Sequence, residues 1–300
     1  MLTDTPPRFT VRHIVLLAIV LRLALGVAAC HNGFKTFLQP DSRGYIALAE
    51  EMSRNGRFHT LNITGVCVDE RSDVCSLVGS RVFSGPDIQR TPGYPAFLLP
   101  PSALARQQNQ EWYLIAWAVL LQGLFGGLTA AMAYSMAFAL DMSPRRCRWA
   151  GLFVALDPVS IAFANFVLTE TLYALLLTGT CALLTACMHK PCWRPTILAS
   201  LALTAAAYVR PIGLYLCIPC GVIFACLREL PLRQRAFRAV VILGIPALLC
   251  GAWVARNHLA TGVTAFSTIA TENLFFYEAA SVIAARDMRP WNDVRTELWT

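Results

Sequence analysis

Long apolar runs alternate with short polar loops along most of this chain of 300 residues. The first run covers residues 13–30, and a helix of that length only just crosses the bilayer core, because each residue adds about 1.5 Å. Further apolar stretches follow at 112–140, 149–167, 171–188, 196–208, 212–227 and 239–255. The pattern predicts one all-α transmembrane domain over residues 1–300, with seven spans or half-spans.

The composition favours a polytopic membrane protein and argues against two other classes. The chain is 56% hydrophobic and only 14% charged, whereas soluble domains carry about 25% charged residues. Its formal net charge is +7, but the basic residues gather in short loops and do not alternate with aromatic residues as on a nucleic-acid platform. We therefore expect membrane lipids as partners and no nucleic acid.

The basic loops predict the orientation of the chain in the membrane. Loops 141–148, 189–195 and 228–238 are rich in arginine or lysine, and short loops of this kind stay on the cytoplasmic side. The N-terminus is then cytoplasmic, residues 31–110 form a long first outer loop, and residues 257–300 form an outer segment. In this orientation the outer face receives the charged residues Asp41, Arg43, Arg90, Glu170, Arg210 and Arg256.

The first outer loop opens with the polar sequence Gln39-Pro40-Asp41-Ser42-Arg43-Gly44-Tyr45. Asp41 is predicted to cap a helix over residues 42–55, because an aspartate at this position accepts hydrogen bonds from free backbone N–H groups. Gly56 is predicted to end the helix, since glycine adopts the left-handed conformation easily. Apolar residues recur on one face of this segment, so we expect an amphipathic juxtamembrane helix.

The remainder of the loop is harder to interpret. Residues 67–87 are predicted to form an irregular insertion, and Cys67 and Cys75 within it could form a disulfide if the loop faces an oxidising compartment. A short apolar run at 96–99 is predicted to end at Pro100 and Pro101, because proline removes a backbone donor and breaks helices.

Two features inside the apolar runs have structural explanations. Arg22 lies within the first span, where a charged residue usually faces the protein interior with a partner; we favour this over snorkelling to the interface. Cys217 and Cys220 lie in an apolar run without a nearby histidine, so we expect them to act as small hydrophobic residues and not as metal ligands.

Carboxylates and arginines on one membrane face suit an anionic lipid substrate. Arginine binds phosphate through two parallel hydrogen bonds, and Asp41 could accept a proton from an incoming hydroxyl or amine. For Arg210 and Arg256 the alternative is interfacial snorkelling, and taken singly the two interpretations stay equally open.

Five short motifs, in this order, resemble those of GT-C glycosyltransferases. They are Pro40-Asp41-Ser42-x-x-Tyr45, Arg90-Thr91-Pro92-Gly93-Tyr94-Pro95, Leu168-Thr169-Glu170-Thr171-Leu172, Val209-Arg210-Pro211-Ile212-Gly213 and Trp253-x-x-Arg256-Asn257. More narrowly, the chain resembles the bacterial dolichyl-phosphate-mannose protein mannosyltransferase and lipid A aminoarabinose transferase group. The resemblance implies a GT-C-like helix bundle in a bacterial plasma membrane. It also implies transfer of a hexose or pentose from a polyprenyl-phosphate sugar to a lipid, glycan or protein acceptor at the outer face.

The resemblance further implies roles for individual residues. The reaction would invert the anomeric carbon with Asp41 as general base, and Glu170 would be a second carboxylate on the acceptor or donor side. Arg90 and Arg210 would bind phosphate, while Tyr45 and Tyr94 would line the sugar pocket. The full set of substrate-binding candidates is Arg43, Tyr45, Arg90, Tyr94, Arg210 and Arg256.

The chain departs from the family pattern in two ways. Some relatives place an acidic, metal-binding residue where this chain has Gln89, and an amide is a poor cation ligand, so we expect no metal or other cofactor. Relatives also commonly continue with more spans and a soluble outer domain, which leaves open whether residues 257–300 end a complete or a truncated protein.

Two alternative functions remain open from the sequence. A transporter or flippase of lipid-linked substrates would depend on intramembrane charges such as Arg22 and Asp157, although no internal repeat of the kind found in transporters is visible. A non-catalytic scaffold that keeps the fold would tolerate loss of Asp41.

Overall fold

In a computed structural model that describes residues 11–64, 81–108, 110–189, 193–227 and 230–299, the chain is helical apart from one two-stranded hairpin. The helices are α1 (Val11–Cys30), α2 (Pro40–Asn55), α3 (Gly93–Gln108), α4 (Trp112–Ala139), α5 (Pro144–Leu156), α6 (Pro158–Phe163), α7 (Glu170–His189), α8 (Arg194–Val209), α9 (Cys217–Cys226), α10 (Leu232–Thr261), α11 (Ile269–Asn273), α12 (Ala280–Arg286) and α13 (Trp291–Trp299). Short 3₁₀ helices occur at Phe34–Phe37 and Pro211–Leu216, and a π-helix at Leu274–Ala279.

Within the described ranges, four helices are long and apolar enough to cross a membrane: α1, α4, α7 and α10. They indicate an integral membrane protein, which confirms this part of the sequence prediction. The predicted spans at 196–208 and 212–227 correspond to shorter apolar helices. Large hydrophobic side chains such as Leu16, Phe153 and Leu248 are exposed on the outside of the bundle, as expected for a surface that lipid covers.

The predicted stretch at 149–167 is divided into α5 and α6 by Asp157 and Pro158. Proline has no backbone N–H and cannot continue the helical hydrogen bonds. The Asp157 carboxylate caps the new helix by accepting hydrogen bonds from the backbone N–H groups of Val159 at 3.3 Å and Ser160 at 2.9 Å. The charge predicted inside the membrane therefore has a capping function.

Arg22 faces the protein interior, as predicted, and only 1% of it is exposed. Its guanidinium donates hydrogen bonds to the backbone carbonyls of Val154 at 3.1 Å and Ala155 at 3.3 Å, and to the Ser160 hydroxyl. Pro158 cannot supply the N–H group that the Val154 carbonyl would receive in a continuous helix. Arg22 therefore satisfies backbone carbonyls left free at the α5–α6 break.

Helices α1 and α4 are antiparallel and approach closely at glycines of α4. A Cβ atom at Gly126 would overlap Arg22 Nε, and one at Gly127 would lie 2.7 Å from Ile19 Cγ1. Small residues at such positions let membrane helices pack tightly. Gly126 thus provides the space that the buried Arg22 side chain occupies.

Helix α2 starts earlier than predicted, and Asp41 is not its N-cap. Gln39 is the cap residue, Pro40 takes the first helical position, and Asp41 lies in the first turn. Proline suits this position because its missing N–H would have no partner there. The Ser42 hydroxyl, and not Asp41, accepts a hydrogen bond from the Gln39 N–H at 2.8 Å. The prediction that Gly56 ends the helix is confirmed by its left-handed φ of 63°.

Two other local predictions in this loop were wrong. Residues 81–86 form strand β2, which pairs antiparallel with β1 (His59–Thr64), so the predicted insertion at 67–87 is not irregular throughout. Helix α3 continues through Pro100 and Pro101, because packing of its buried face outweighs the two lost donors; Tyr94 and Leu98 on that face are fully buried. Cys67 and Cys75 lie outside the described residues.

Helices α2 and α3 run side by side in the same direction over the start of α4. Their buried residues Ile46, Ala49 and Leu98 form a core with Leu114 and Ile115 of α4. The start of α7 and the ends of α8 and α10 lie at the same end of the bundle, as the contacts below show. We call it the α2–α3 end.

Candidate functional site

The first ion pair at the α2–α3 end joins Asp41 and Arg90. Asp41 Oδ1 lies 3.4 Å from Arg90 Nη2, and the guanidinium lies over the Tyr45 ring at 5.3 Å. The Asp41 side chain is 68% exposed, whereas that of Arg90 is 17% exposed. The Arg90 backbone N–H donates to Asp87 at 2.8 Å, and its Nη1 donates to the Gln89 amide oxygen at 2.8 Å. Arg90 is thus held from several sides, while the carboxylate stays accessible.

The second ion pair joins Glu170, the first residue of α7, to Arg210. Glu170 Oε1 lies 2.9 Å from Arg210 Nη1, and the guanidinium lies over the Tyr173 ring at 5.9 Å. Arg210 is extended, with φ −139° and ψ 123°, because Pro211 disfavours helical backbone in the residue before it. The sequence Arg210-Pro211 therefore ends α8 where its guanidinium reaches the start of α7.

Tyr45 joins these two pairs into one electrostatic site. Burial raises the pKa of the Tyr45 phenol; Arg90 and Arg210 act to lower this pKa, whereas Asp41 and Glu170 act to raise it. All four charged groups therefore act on the same hydroxyl, although they come from positions up to about 170 residues apart in the chain. We call Asp41, Tyr45, Arg90, Glu170 and Arg210 the two-pair site.

Gln122 of α4 links the two halves of this site. Tyr94, which packs edge-on against Tyr45 at 5.2 Å, donates its hydroxyl to Gln122 Oε1 at 3.0 Å. Gln122 Nε2 donates to the backbone carbonyls of Ala164 at 3.2 Å and Phe166 at 2.7 Å, in the turn that leads to Glu170. Gln122 and Tyr94 are fully buried, so these bonds are shielded from water and fix α3 relative to the start of α7.

Two glycines give the site its close packing. A Cβ atom at Gly44 would lie 2.6 Å from Arg90 Cζ, so any larger residue would displace the guanidinium. At Gly93 a Cβ atom would lie 2.6 Å from the backbone carbonyl of Tyr208, two residues before Arg210. The absence of side chains at these positions allows α2 to contact Arg90 and α3 to contact the end of α8.

Two substrate-binding candidates lie apart from this site. Arg43 is exposed on α2. Residues two apart point to different sides of a helix, so Arg43 points away from Arg90, whereas Asp41 points toward it. The Arg256 guanidinium donates to the backbone carbonyls of Asp87 at 2.8 Å and Phe58 at 2.9 Å, and lies over the Trp253 ring at 4.8 Å. Arg256 therefore fastens the hairpin and its following turn to α10.

A second polar network flanks Arg90. Gln89 Nε2 donates to Glu272 Oε2 at 2.5 Å, and Thr268 donates to the other Glu272 oxygen at 2.6 Å. Burial raises the pKa of Asp87, while the Arg90 backbone N–H acts to lower it.

Among the residues that the structure describes, no group of three or more His, Cys, Asp and Glu side chains could hold a metal ion. The Gln89 side chain holds the Glu272 carboxylate by a hydrogen bond.

Three residues of this end were missed by sequence reasoning. Tyr173 follows Glu170 by three residues, which places both on one helix face and was a usable signal. Gln122 is a polar residue inside an otherwise apolar span, which also marks a buried hydrogen-bonding role. Asp87 gave no signal, because its burial depends on contacts with residues distant in sequence.

Comparison with known proteins adds no further assignment. No protein-family model matches the chain, and no curated protein or solved structure is significantly similar to it.

Proposed function

We propose that the protein is a membrane glycosyltransferase that moves a sugar from a polyprenyl-phosphate donor to an acceptor at the outer face of the membrane. The single observation that supports this most is the two-pair site, in which Asp41–Arg90 and Glu170–Arg210 both influence the pKa of one tyrosine at the end of an apolar bundle. A lipid-linked donor whose tail lay along the apolar bundle would bring its headgroup to this end. The motif resemblance to GT-C glycosyltransferases supports the same proposal.

The proposed step is a substitution at the anomeric carbon. The acceptor hydroxyl attacks this carbon, Asp41 takes the hydroxyl proton, and the bond to the phosphate oxygen breaks with its electron pair moving to the phosphate. Asp41 suits the role of base because its carboxylate is mostly exposed and its contact with Arg90 is long, at 3.4 Å. An incoming hydroxyl can therefore reach the carboxylate without breaking a tight ion pair.

The arginines supply the complementary charge. As the phosphate leaves it gains negative charge, and fixed guanidinium groups lower the free energy of that state. Arg90 lies over Tyr45 and is held by Gln89, so its position is set before substrate binds. Arg210 is half-exposed and its partner Glu170 can serve as the second carboxylate beside the donor or acceptor.

The membrane-embedded charges favour an enzyme over a transporter. A transporter uses such charges to bind and release its cargo. Here the Arg22 guanidinium hydrogen-bonds to backbone carbonyls and Ser160, and Asp157 caps α6. Both side chains thus hydrogen-bond to backbone groups that the break between α5 and α6 leaves free.

The test is transfer by the Asp41→Asn variant in membranes. Asp41 does not cap α2 and its side chain is mostly exposed, so the change should leave folding intact while removing the proton acceptor. We expect transfer from a polyprenyl-phosphate sugar to fall by about 10²- to 10⁴-fold, the usual contribution of a positioned acid or base, with donor binding retained. Asp141→Asn, at the opposite end of the bundle, is the matched control. Near-normal transfer by Asp41→Asn would remove Asp41 from the mechanism.

A further inference from the structure

A polar cleft separate from the two-pair site lies between the C-terminal halves of α2 and α3. Its volume is about 330 Å³, within the range of small-molecule sites. Ser53 in this cleft is twelve residues along α2 from Asp41, and twelve helical residues span about 18 Å. The cleft is therefore too far from Asp41 to be part of the same binding pocket for one sugar ring.

The charges that line the cleft cancel. Two carboxylates, Glu50 and Glu111, and two guanidiniums, Arg54 and Arg106, contribute to its wall. Glu50 and Arg54 approach only to 3.7 Å, and Arg106 makes a long bond of 3.4 Å to the Ser53 carbonyl. Hydrogen-bond donors and acceptors thus lie next to each other in the cleft, and these long contacts leave them able to bind a ligand. With two groups of each sign in the wall, neither an anion nor a cation gains a net electrostatic attraction from the cleft.

Two hydroxyls in the wall lack partners within the described residues. Ser102 Oγ and Ser53 Oγ are both buried and form no hydrogen bond there, and Ser102 is only 2% exposed. Buried polar groups are nearly always hydrogen-bonded, and an orphaned one costs free energy. Both serines line the cleft, and once a side chain turns toward the cleft its hydroxyl can pair with a ligand hydroxyl, which both donates and accepts.

We infer that this cleft is a binding site for a neutral saccharide unit. Neighbouring hydroxyls of a sugar ring can donate to Glu50 or Glu111 and accept from Arg54 or Arg106, while the serines pair with further hydroxyls. Gln110, whose amide oxygen accepts a hydrogen bond from Trp112, adds a fixed amide at the edge of the cleft. The site goes beyond the proposed transfer and does not depend on Asp41.

The test measures saccharide binding to the full chain in phosphatidylcholine nanodiscs. Maltoside detergents are avoided because their headgroups are themselves saccharides. Saturation-transfer NMR with methyl glucoside, methyl mannoside and methyl N-acetylglucosaminide should show binding of at least one of them, with glucuronate and phosphoethanolamine binding more weakly. Absence of binding by all three glycosides, or stronger binding of phosphoethanolamine, would overturn the inference.

Variants locate the binding and provide its controls. Glu50→Gln combined with Glu111→Gln replaces one acceptor oxygen of each side chain with an NH₂ donor and leaves the cleft positive, so glycoside binding should weaken at least tenfold and glucuronate binding should strengthen. Glu51→Gln makes the same chemical change on the next residue of α2, outside the cleft, and should have no effect. Asp41→Asn should also bind glycoside normally, which separates this site from the transfer site. Equal glycoside affinity in the double variant and in Glu51→Gln would refute the assignment.

Discussion

Arginines at two places in this molecule meet two different kinds of partner. In the apolar bundle, Arg22 and Arg238 are almost fully buried and donate to backbone carbonyls, Arg238 to that of Cys187 at 2.6 Å. At the α2–α3 end, Arg90 and Arg210 face carboxylates and tyrosine rings and remain partly exposed. The first kind completes backbone hydrogen bonding, whereas the second holds charge that a ligand can reach.

Arg256 shows that location alone does not separate the two kinds. It lies at the α2–α3 end, as the motif suggested, yet it donates to the carbonyls of Phe58 and Asp87 like the arginines of the bundle. The partner of the guanidinium, not its depth in the membrane, therefore distinguishes a structural arginine from a candidate ligand-binding one.

Among the variants that compare the two kinds of arginine, Arg90→Met should have the largest effect, and the effect is on the transfer rate. Removing a fixed donor that stabilises developing charge should lower the transfer rate by about 10²- to 10³-fold. Thermal stability should change little, because ion pairs with an exposed partner contribute about 0–1 kcal/mol. Rates and unfolding temperatures are measured together, with Arg57→Met, an exposed arginine beyond α2, as control. A normal transfer rate in Arg90→Met would show that the two kinds of arginine do not differ in function.

Arg22→Met should have the opposite profile. The change leaves the carbonyls of Val154 and Ala155 without their donor, and we expect the free energy of unfolding to fall by about 1–3 kcal/mol, the cost of an unsatisfied buried polar group. Transfer per folded molecule should be unchanged, because Arg22 does not contact the two-pair site. Equilibrium unfolding in mixed micelles measures the first quantity. Unaltered stability would show that these bonds do not hold the α5–α6 break.

Gly44→Ala tests position without removing charge. The added methyl group would collide with the Arg90 guanidinium, so transfer should fall about tenfold, less than the 10²-fold loss that a 1 Å misplacement can cause. Gly251→Ala is the matched control in α10, where a Cβ atom meets nothing within 4 Å and alanine should slightly favour the helix. Full activity of Gly44→Ala would mean that Arg90 is free to shift.

The smallest expected effect concerns pH and Asp87, which contacts both kinds of arginine. Its carbonyl accepts from Arg256, and its carboxylate accepts from the Arg90 N–H. Because burial raises its pKa in the folded state, the folded protein binds more protons between the unfolded value of about 3.9 and the raised value. Stability should therefore fall as pH rises through that window. Unfolding temperatures of the wild type and Asp87→Asn measure this; the variant should lose this part of the pH dependence.

The sequence predicted those features that depend on local pattern. Apolar runs located the four long helices because each run alone is long enough to cross a bilayer. The charged residues of the motifs were placed at one end by hydropathy and loop charge. The structure pairs Asp41 with Arg90 and Glu170 with Arg210, and all four influence the pKa of Tyr45. Their chemical roles stay predictions.

Features that depend on tertiary contacts were not predictable. The helix through Pro100 and Pro101 persists because its neighbours are buried, and the cap of α2 shifted to Gln39 because Pro40 fits the first helical position. Arg256 carried the same motif signal as Arg90, and Arg43 was a candidate because it lies inside the first motif on the same side of the membrane. What distinguishes them from Arg90 is the direction of the side chain and the backbone carbonyls within its reach. Neither can be predicted from the spacing of residues along the chain.

The Arg22 contacts also have a consequence for the order of assembly during synthesis. Val154 and Ala155 follow Arg22 by 132 and 133 residues, so the ribosome adds more than a hundred residues after Arg22 before they appear. Until then α1 carries, near its middle, a charge that costs about 2.5–3.5 kcal/mol to place in the membrane. We therefore expect α1 to be held in its final position only after α5 has been made, although α1 is the first of the described helices to be synthesised.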